Sequence, residues 1–463
     1  MKALSVSITR RSLALFCCEL LVITSAVCLG AWVSLGREAL GLLVNGGFAR
    51  ALLIAVICQV CLYYADGYEP GSGSDRRELF LSIVHALSAT SFVLAAIYLW
   101  SPDLILSRGV FVVSSVLVLT AVVAWRLVFE WFMGHAAPRE RLLVVGTGPT
   151  AVSLSRELFA RRQELGVEIV GFVDPDPTRI GAPVINPGVI GTIEDIPSIV
   201  RARNVQRVVV ALGDARGKLP MDKLLDMKLS GISFDHITSV YEELTGKIAV
   251  DNLRPSWLIF SSGFKKSRLA SILKRLLDIS SALIGIVLAG PIMILVGIAV
   301  KMTSPGPAFY RQQRVGRQGQ LFSVTKFRSM RQDAEAGTGA VWASKNDSRV
   351  TPIGRFLRRT RLDELPQLWN VLIGDMSLVG PRPERPPFVQ QLTEQIPFYG
   401  QRHVVRPGLT GWAQVRYSYG SSVEDALEKL QYDLFYIKNQ SLAFDLFIIL
   451  STIKTVIMRK GAA

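Results

Sequence analysis

Cysteine and histidine are scarce in this chain of 463 residues, and their placement excludes several kinds of chemistry. The five cysteines, Cys17, Cys18, Cys28, Cys58 and Cys61, all lie in apolar stretches near the N-terminus. That pattern needs no disulfide and suits a reducing compartment. The four histidines (His85, His135, His236, His403) are scattered, and none shares metal-ligand spacing with a cysteine, so no zinc centre is expected. Acidic residues are also in the minority, 37 against 52 Lys and Arg, for a formal net charge of +15. From Lys265 onward 28 Lys and Arg face 14 Asp and Glu, so nearly all of the excess lies in the last part of the chain. Nucleic acid, anionic lipid and phosphate substrates all suit such an excess. Its apolar surroundings favour the membrane surface and phosphates, and no nucleic acid is expected.

Apolar sequence is abundant and clustered. Four runs, over about residues 12–35, 48–68, 79–100 and 110–133, each approach the roughly 20 residues needed to cross a hydrocarbon core. The first is too long for a signal peptide and is followed by three more. Lys2, Arg10 and Arg11 precede the first run, Arg76 and Arg77 lie between the second and third, and Arg139 and Arg141 follow the fourth. Counting basic residues therefore puts both ends of the bundle in the cytoplasm. Glu19 and Arg126 fall inside runs, toward the cytoplasmic ends, and make no chain of charges across the membrane. The bundle reads as an anchor or assembly surface, not a transporter.

Residues 141–158 read as a buried strand, a Gly146-x-Gly148 turn and a helix; 168–176 as a strand ending in aspartate; 193–212 as a helix and then a strand. This is a βαβ pattern with a parallel sheet. Ala151 stands at the third fingerprint position, and Asp174 or Asp176 where a ribose-binding acid would be. A lone Gly-x-Gly leaves two readings open: a nucleotide site, or a module of the same build without a ligand. An oxidoreductase or dehydratase using this module would need a Tyr-x-x-x-Lys or similar set, and none follows the second strand.

After a linker interrupted by Arg254-Pro255-Ser256-Trp257, basic residues Lys265, Lys266, Arg268, Lys274 and Arg275 lead into about 22 largely apolar residues, 279–300. The far side is basic too (Lys301, Arg311, Arg314, Arg317, Lys326, Arg328). A spanning helix would leave the densest positive charge outside, against the charge rule. Pro291, preceded by Gly290, removes an N–H and clashes with the preceding turn, which bends a helix. A re-entrant hairpin with both ends on the cytoplasmic face is expected. Residues 311–361 are basic and mixed in pattern, with Lys326-x-Arg328 and Asp347-x-Arg349 offering charged groups. Near the C-terminus Asp445 and Lys454 interrupt an apolar run, which favours an amphipathic helix lying in the interface over core packing.

The chain is organised around residues 357–384. Arg358, Arg359 and Arg361 precede an acidic pair, Asp363-Glu364, and Pro366; Leu365, Leu368, Trp369 and Leu372 then fall on one helical face. Proline belongs in a helix's first turn, so the helix is expected to start near Asp363, where anions are favoured. A Gly380-Pro-Arg-Pro383 turn aims a further arginine, Arg382. Carboxylates among arginines at a helix start suit phosphate chemistry with a metal ion. By itself, Asp363 reads more simply as an N-cap, worth about 0.5–2 kcal/mol.

The wider sequence tips that balance. This stretch closely resembles the core of the bacterial sugar transferases, the monotopic polyprenyl-phosphate phosphoglycosyl transferases. The resemblance continues through KRLLDI (274–279), SPGPAFYRQQRVG (304–316), KFRSM (326–330) and RPGLTGWAQV (406–415), in order, over about the last 200 residues. Family members often carry serine where this chain has Arg361. The resemblance implies transfer of a hexose-1-phosphate from a UDP-sugar to polyprenyl (undecaprenyl) phosphate with release of UMP, the initiating membrane step of exopolysaccharide, capsule or O-antigen synthesis. An N-acetylhexosamine-1-phosphate is the alternative donor group. It also implies that Asp363 is the nucleophile and that Glu364 holds Mg²⁺. Arg358, Arg359 and Arg382, with Lys326 and Arg328, would contact substrate phosphates. Lys274, Arg275 and Asp278 would fix the hairpin mouth where the lipid headgroup arrives, with Pro291 at the kink. The partners implied are the UDP-sugar, polyprenyl phosphate and membrane lipids, with a homodimer left open.

The expected fold is that of a multidomain membrane protein. A four-helix transmembrane bundle (1–136) precedes a Rossmann-like, CoA-binding-like α/β domain (137–262). An α-rich catalytic domain (263–463) follows, with its re-entrant helix over 276–301. It would sit in the bacterial inner membrane with the catalytic domain on the cytoplasmic face. A chain starting near Ser261 is expected to keep transfer, because every phosphate-directed motif lies after Phe264.

Overall fold

The computed structural model describes residues 10–65, 67–68, 76–135, 139–212, 221–250, 263–264, 266–332, 334, 349–417, 420 and 422–457. Lys2, Arg254–Trp257, Lys265 and Asp347 of the preceding section lie outside them. The chain divides into two compact units, one ending at Asp235 and the other starting at His236.

The first unit opens with long apolar helices: α1 (Arg10–Leu35), α2 (Phe48–Tyr64), α3 (Arg76–Trp100) and α4 (Arg108–His135). Their interior mixes small and polar side chains, among them Ala51, Ala55, Ala86 and Thr90, with aliphatic ones such as Ile23, Leu62, Ile83 and Val122, whereas Leu21, Phe92, Leu99 and Trp100 point outward. Gly30 lies so near Ser114 that a Cβ would collide with its hydroxyl. Small residues at close helix contacts, with large apolar side chains also facing outward, suit helices packed in lipid. Among the described residues five helices are long and apolar enough to cross a membrane, these and one in the second unit. The chain is a membrane protein.

Glu19 and Arg126, which the sequence places inside apolar runs, meet in the bundle. Arg126 Nε donates to Glu19 Oε1 at 2.5 Å, and Tyr68 donates its hydroxyl to Oε2. Removing one member leaves the other buried without its counter-charge, a loss of about 3–5 kcal/mol, whereas replacing both by apolar groups is often tolerated. Arg126→Leu should therefore lower the melting temperature in detergent steeply, and Glu19→Leu/Arg126→Leu should recover most of the loss. Equal instability of single and double variants would contradict this.

The helices are followed by a five-stranded sheet in the order β3-β2-β1-β4-β5, with β1 (Glu140–Val145), β2 (Val167–Asp174), β3 (Val189–Thr192), β4 (Arg207–Val210) and β5 (Ser233–His236). Strand β1 runs parallel to both β2 and β4, and β2 parallel to β3, as the βαβ pattern requires. At the end of β2 the Asp174 carboxylate accepts from the Thr147 hydroxyl and the Asp176 N–H, and Arg179 lies 3.8 Å away. The acid that a ribose would meet is thus already engaged by the module's own side chains.

The second unit begins with α5 (Ile237–Thr245), and the long helix α6 (Arg268–Thr303) continues through Pro291. The basic, mixed-pattern segment that follows is a hairpin: β6 (Phe309–Val315) pairs antiparallel with β7 (Leu321–Phe327) in continuous register. Its turn is made possible by Gln318 and Gly319, both at positive φ. Next come α7 (Pro352–Thr360), α8 (Gln367–Ile373), β8 (Ser377–Val379), α9 (Pro386–Gln395), β9 (Gly408–Thr410), α10 (Val423–Asn439) and α11 (Leu442–Ile457). One core unites them, with Trp412, Phe435, Tyr436, Phe444 and Ile448 at its centre. Ile248 and Val250 belong to the same core, and the Trp412 indole donates to the Gly246 carbonyl at 2.9 Å.

Helix α11 turns its charged residues toward the protein and an apolar face outward. Asp445 and Lys454 are buried, while Leu446, Leu450, Ile453 and Val456 are exposed. The reason is a network: Asp445 takes Lys274 Nζ at 2.9 Å and the Tyr436 hydroxyl at 2.8 Å, so the charge that was to face water is spent inside.

Candidate active site

Thr351 caps α7 by accepting from the Gly354 N–H, and the helix ends at Arg361, whose φ of 58° is left-handed. A single 3₁₀ turn, Leu362–Glu364, follows. The dyad therefore precedes helix α8 rather than opening it as the sequence suggests. Pro366, at φ −61°, has no N–H to give and stands at the N-cap, so regular helix begins only at Gln367. Leu365, Leu368 and Leu372 turn toward the core, but Trp369 is 58% exposed and leaves the face assigned to it.

Three cations converge on Glu364 Oε1: Arg382 Nη2 at 2.7 Å, Lys326 Nζ at 3.2 Å and Arg361 Nη1 at 4.0 Å. Beside it Asp363 is only 7% exposed, and its Oδ1 is buried without a hydrogen-bond partner. Burial pushes the Asp363 carboxyl up to about 6, the Glu364 charge adds to this, and Lys326, Arg358 and Arg382 oppose it. Glu364 is also desolvated, yet Arg382 and Lys326 hold it well below the usual carboxylate range. Neighbouring carboxylates driven apart in this way take separate roles: one is a fixed anion, the other a group poised to react.

The surrounding fold positions each cation. Asn370 on α8 accepts from the Thr325 N–H at 3.1 Å and donates to the Ser323 carbonyl at 2.8 Å, binding β7, and with it Lys326, to the dyad's own helix. Arg382 sits in the Gly-Pro-Arg-Pro turn, which follows β8; Gly380 N donates to Thr410 O and Gly408 N to Pro381 O. A Cβ on Gly380 would lie 2.5 Å from the Arg406 carbonyl, so only glycine lets the two motif segments pass each other this closely. Arg358 donates through Nε to the Ser329 hydroxyl at 3.0 Å.

Other residues picked out by the sequence stand elsewhere. Arg328 is buried and donates to the Ser304 and Pro305 carbonyls and the Ser304 hydroxyl. It ties down the end of α6, which corrects its reading as a phosphate contact. Arg359 is exposed and is not among the cations acting most strongly on Asp363. Lys274 is held by Asp445; Arg275 donates to the Val371 and Leu372 carbonyls at the end of α8; Asp278 accepts from the Ser377 hydroxyl and the Leu378 N–H. These three attach α6 to α8, β8 and α11. In the sequence Arg361 stands out only as one of three arginines before the dyad and as a departure from the family pattern, and Asn370 only as a polar residue amid an apolar helical stretch.

Residues 269–459 match the family described as Bacterial sugar transferase, and residues 64–218 match one described as CoA-binding domain. The chain is 34% identical over 359 residues to the UDP-glucose:undecaprenyl-phosphate glucose-1-phosphate transferase of Xanthomonas campestris pv. campestris, covering 74% of this chain and 73% of that protein. The transferase of the same name from Escherichia coli (strain K12) is 34% identical over 346 residues, 72% of this chain and 71% of the relative. A UDP-N-acetylgalactosamine-undecaprenyl-phosphate N-acetylgalactosaminephosphotransferase of Aeromonas hydrophila is 44% identical over 234 residues, half of this chain and 54% of its own length. With matched family residues that include the dyad, all three cations around Glu364 and both glycine-containing motif segments, the chain belongs to the bacterial sugar transferase family.

Proposed function

We infer that this protein transfers a sugar-1-phosphate from a UDP-sugar to undecaprenyl phosphate, through a covalent intermediate on Asp363. The observation that carries the reading is the buried, unpartnered Oδ1 of Asp363 beside a carboxylate held ionised by cations. Phosphoryl transfer depends mainly on positioning and on neutralising charge, and this site supplies both. A bond forms from an Asp363 oxygen to the sugar-bearing phosphorus while the bond from that phosphorus to the bridging oxygen breaks. UMP leaves with the electron pair. The lipid phosphate oxygen then attacks the same phosphorus and frees the carboxylate. Two half-reactions let a water-borne and a lipid-borne substrate use one pocket in turn. Arg382, Lys326 and Arg358 are the phosphate contacts, with Arg361 beside them.

The donor set also fits a divalent cation. The Asp363 Oδ1 is unengaged, and no group of three His, Cys, Asp or Glu able to hold a metal occurs among the described residues. Mg²⁺ commonly takes one or two carboxylates and completes its shell with water and phosphate oxygens. Glu364 would hold it, leaving the Asp363 oxygen for the phosphorus, and when bound it would neutralise diphosphate charge.

The donor is a UDP-hexose in this reading, because the relatives named for glucose match across both modules. The Aeromonas relative, more identical over a shorter span, keeps an N-acetylhexosamine open. Purified protein offered UDP-glucose, UDP-galactose and their N-acetylated counterparts, with Mg²⁺ and polyprenyl phosphate, should release UMP from one class preferentially. No UMP from any of them would end the assignment.

Four helices of the first unit anchor the chain, and α6 enters the membrane without crossing it. Two contacts of α6 support this. Near its start Asp278 and Ala282 pack on β8 and the main core; near its end Val296 and Val300 pack on Phe327 and Leu357. Twenty-two residues of straight helix cover about 33 Å, a full hydrocarbon thickness. A straight spanning helix would put these contacts on opposite sides of the bilayer, yet Leu357 and the main core belong to one compact unit. Between them Leu283, Val287, Leu288, Ile294 and Leu295 are exposed and suit lipid. Single cysteines at Arg268 and Gln320, on a cysteine-free background, should both react only from the cytoplasmic side. Labelling of one from the other side would mean a spanning helix.

A further inference from the structure

Arg402 stands outside every phosphate-directed motif, in the 3₁₀ segment Tyr399–Val404, and it is 5% exposed. Its Nη2 donates to Asp433 Oδ2 at 2.8 Å and to the main-chain carbonyl of Arg382 at 3.0 Å, and its Nη1 donates to the Tyr399 hydroxyl at 2.6 Å. Tyr399 and Asp433 are buried as well. Asp433 lies on α10 within Leu430–Ile437, eight successive residues that are all buried, so this anchor is rigid.

Stability alone is a weak reason for such a group, since a buried ion pair is often no better than apolar packing of equal volume. Its third bond gives it a purpose. Arg382 is the residue whose guanidinium lies 2.7 Å from Glu364, and it sits between Pro381 and Pro383. Prolines have no N–H, so the turn has fewer backbone donors with which to fix itself. Side chains make up the difference from two directions: Arg402 on the Arg382 carbonyl, and Arg314 Nη1 on the Pro383 carbonyl at 3.1 Å. A planar guanidinium serves three acceptors at once, which a lysine ammonium on a flexible stem does not do with the same geometry.

We propose that Arg402, clamped by Asp433 and Tyr399, is a positioning residue that sets the Arg382 backbone and hence the aim of the Arg382 guanidinium at Glu364 and the substrate diphosphate. The proposal rests on the reading of Arg382 as a phosphate contact.

A double-mutant cycle in the full-length protein tests it, with UMP release from the preferred UDP-sugar as the rate and detergent melting temperature as the control. Arg402→Lys keeps a buried cation for Asp433 but loses the fork, so turnover should fall by about 10–100-fold with little change in melting temperature. In an Arg382→Ala background the same substitution should cost less than about threefold, because residues acting as a unit are not additive. Asp433→Asn and Tyr399→Phe, which loosen the clamp more gently, should repeat the pattern with smaller losses and keep the cycle readable if Arg402→Lys folds poorly. Losses of equal size with and without Arg382 would overturn the proposal and leave Arg382 as a phosphate contact. Wild-type turnover in Arg382→Ala would overturn that reading instead, and the proposal with it.

Discussion

Asp363→Asn should abolish both UMP release and sugar-phosphate transfer while making the protein more stable. The amide keeps the size of the carboxyl but is neither charged nor a competent nucleophile, so no sugar-phosphate should be trapped on the protein. The stability gain follows from the same burial. A carboxyl raised to about 6 is penalised in its ionised form inside the fold. Above both its folded and unfolded values, at neutral pH, that penalty is present in full; it begins to fade as pH falls through 6 and the folded group protonates, and it is gone only below the unfolded value, about 4. The amide never bears it, so the variant should gain on the order of 1–3 kcal/mol at pH 7.5, about half as much at pH 5 and little below about pH 4. In the wild type, UMP release without lipid acceptor should decline below about pH 6 as the nucleophile takes up its proton, with Glu364 still ionised. Enzyme and UDP-sugar alone should give up to one UMP per site. A trapped sugar-phosphate in Asp363→Asn would place the nucleophile elsewhere, and an unchanged melting temperature at pH 7.5 would mean that the ionised carboxyl carries no penalty.

A chain starting at Ser261 should fail to fold stably, whereas one starting at His236 should fold and transfer. The sequence suggests that the shorter chain is enough, since every phosphate-directed motif lies after Phe264. The contacts made by residues 242–250 weigh against a stable chain of that length. Beginning at 261 removes Ile248 and Val250 from the core and takes the Gly246 carbonyl from the buried Trp412 indole. It also removes the Ile248 N–H bond to the Gln431 carbonyl, the Lys247–Glu428 pair at 2.6 Å and the Glu242–Lys438 pair at 2.6 Å. An orphaned buried donor costs about 1–3 kcal/mol and each lost core aliphatic about 2–5 kcal/mol. Those losses rival the whole stability of a typical domain, about 5–15 kcal/mol. The check is melting temperature and specific transfer activity of the two truncations in one detergent. Similar melting temperatures would mean that the 237–250 segment is dispensable, and loss of transfer by a well-folded 236 start would mean that the first unit contributes to the chemistry.

Much of this protein was legible in its residues because the signals are local or repeat along the chain. Apolar runs of membrane length, the βαβ alternation after Gly146, and the Asp363-Glu364 pair among arginines each declare themselves within a few turns of helix or strand. Several smaller features misled because their outcome depends on partners distant in sequence. Asp445 and Lys454 look like the wet face of an interfacial helix, but Lys274 and Tyr436 draw Asp445 inward. Arg328 shares a motif with Lys326, yet one meets Glu364 and the other the carbonyls that end α6.

The sequence by itself determined the order of parts, the family and the identity of the dyad, since these reside in composition, periodicity and contiguous motifs. Tertiary structure alone decided which arginines face Glu364, how differently the two carboxylates are buried and paired, and that residues 246–250 pack into the core of the second unit. Those outcomes depend on desolvation and on contacts between segments tens to nearly two hundred residues apart, Gly246 with Trp412 among them. No pattern read along one strand or helix contains such contacts.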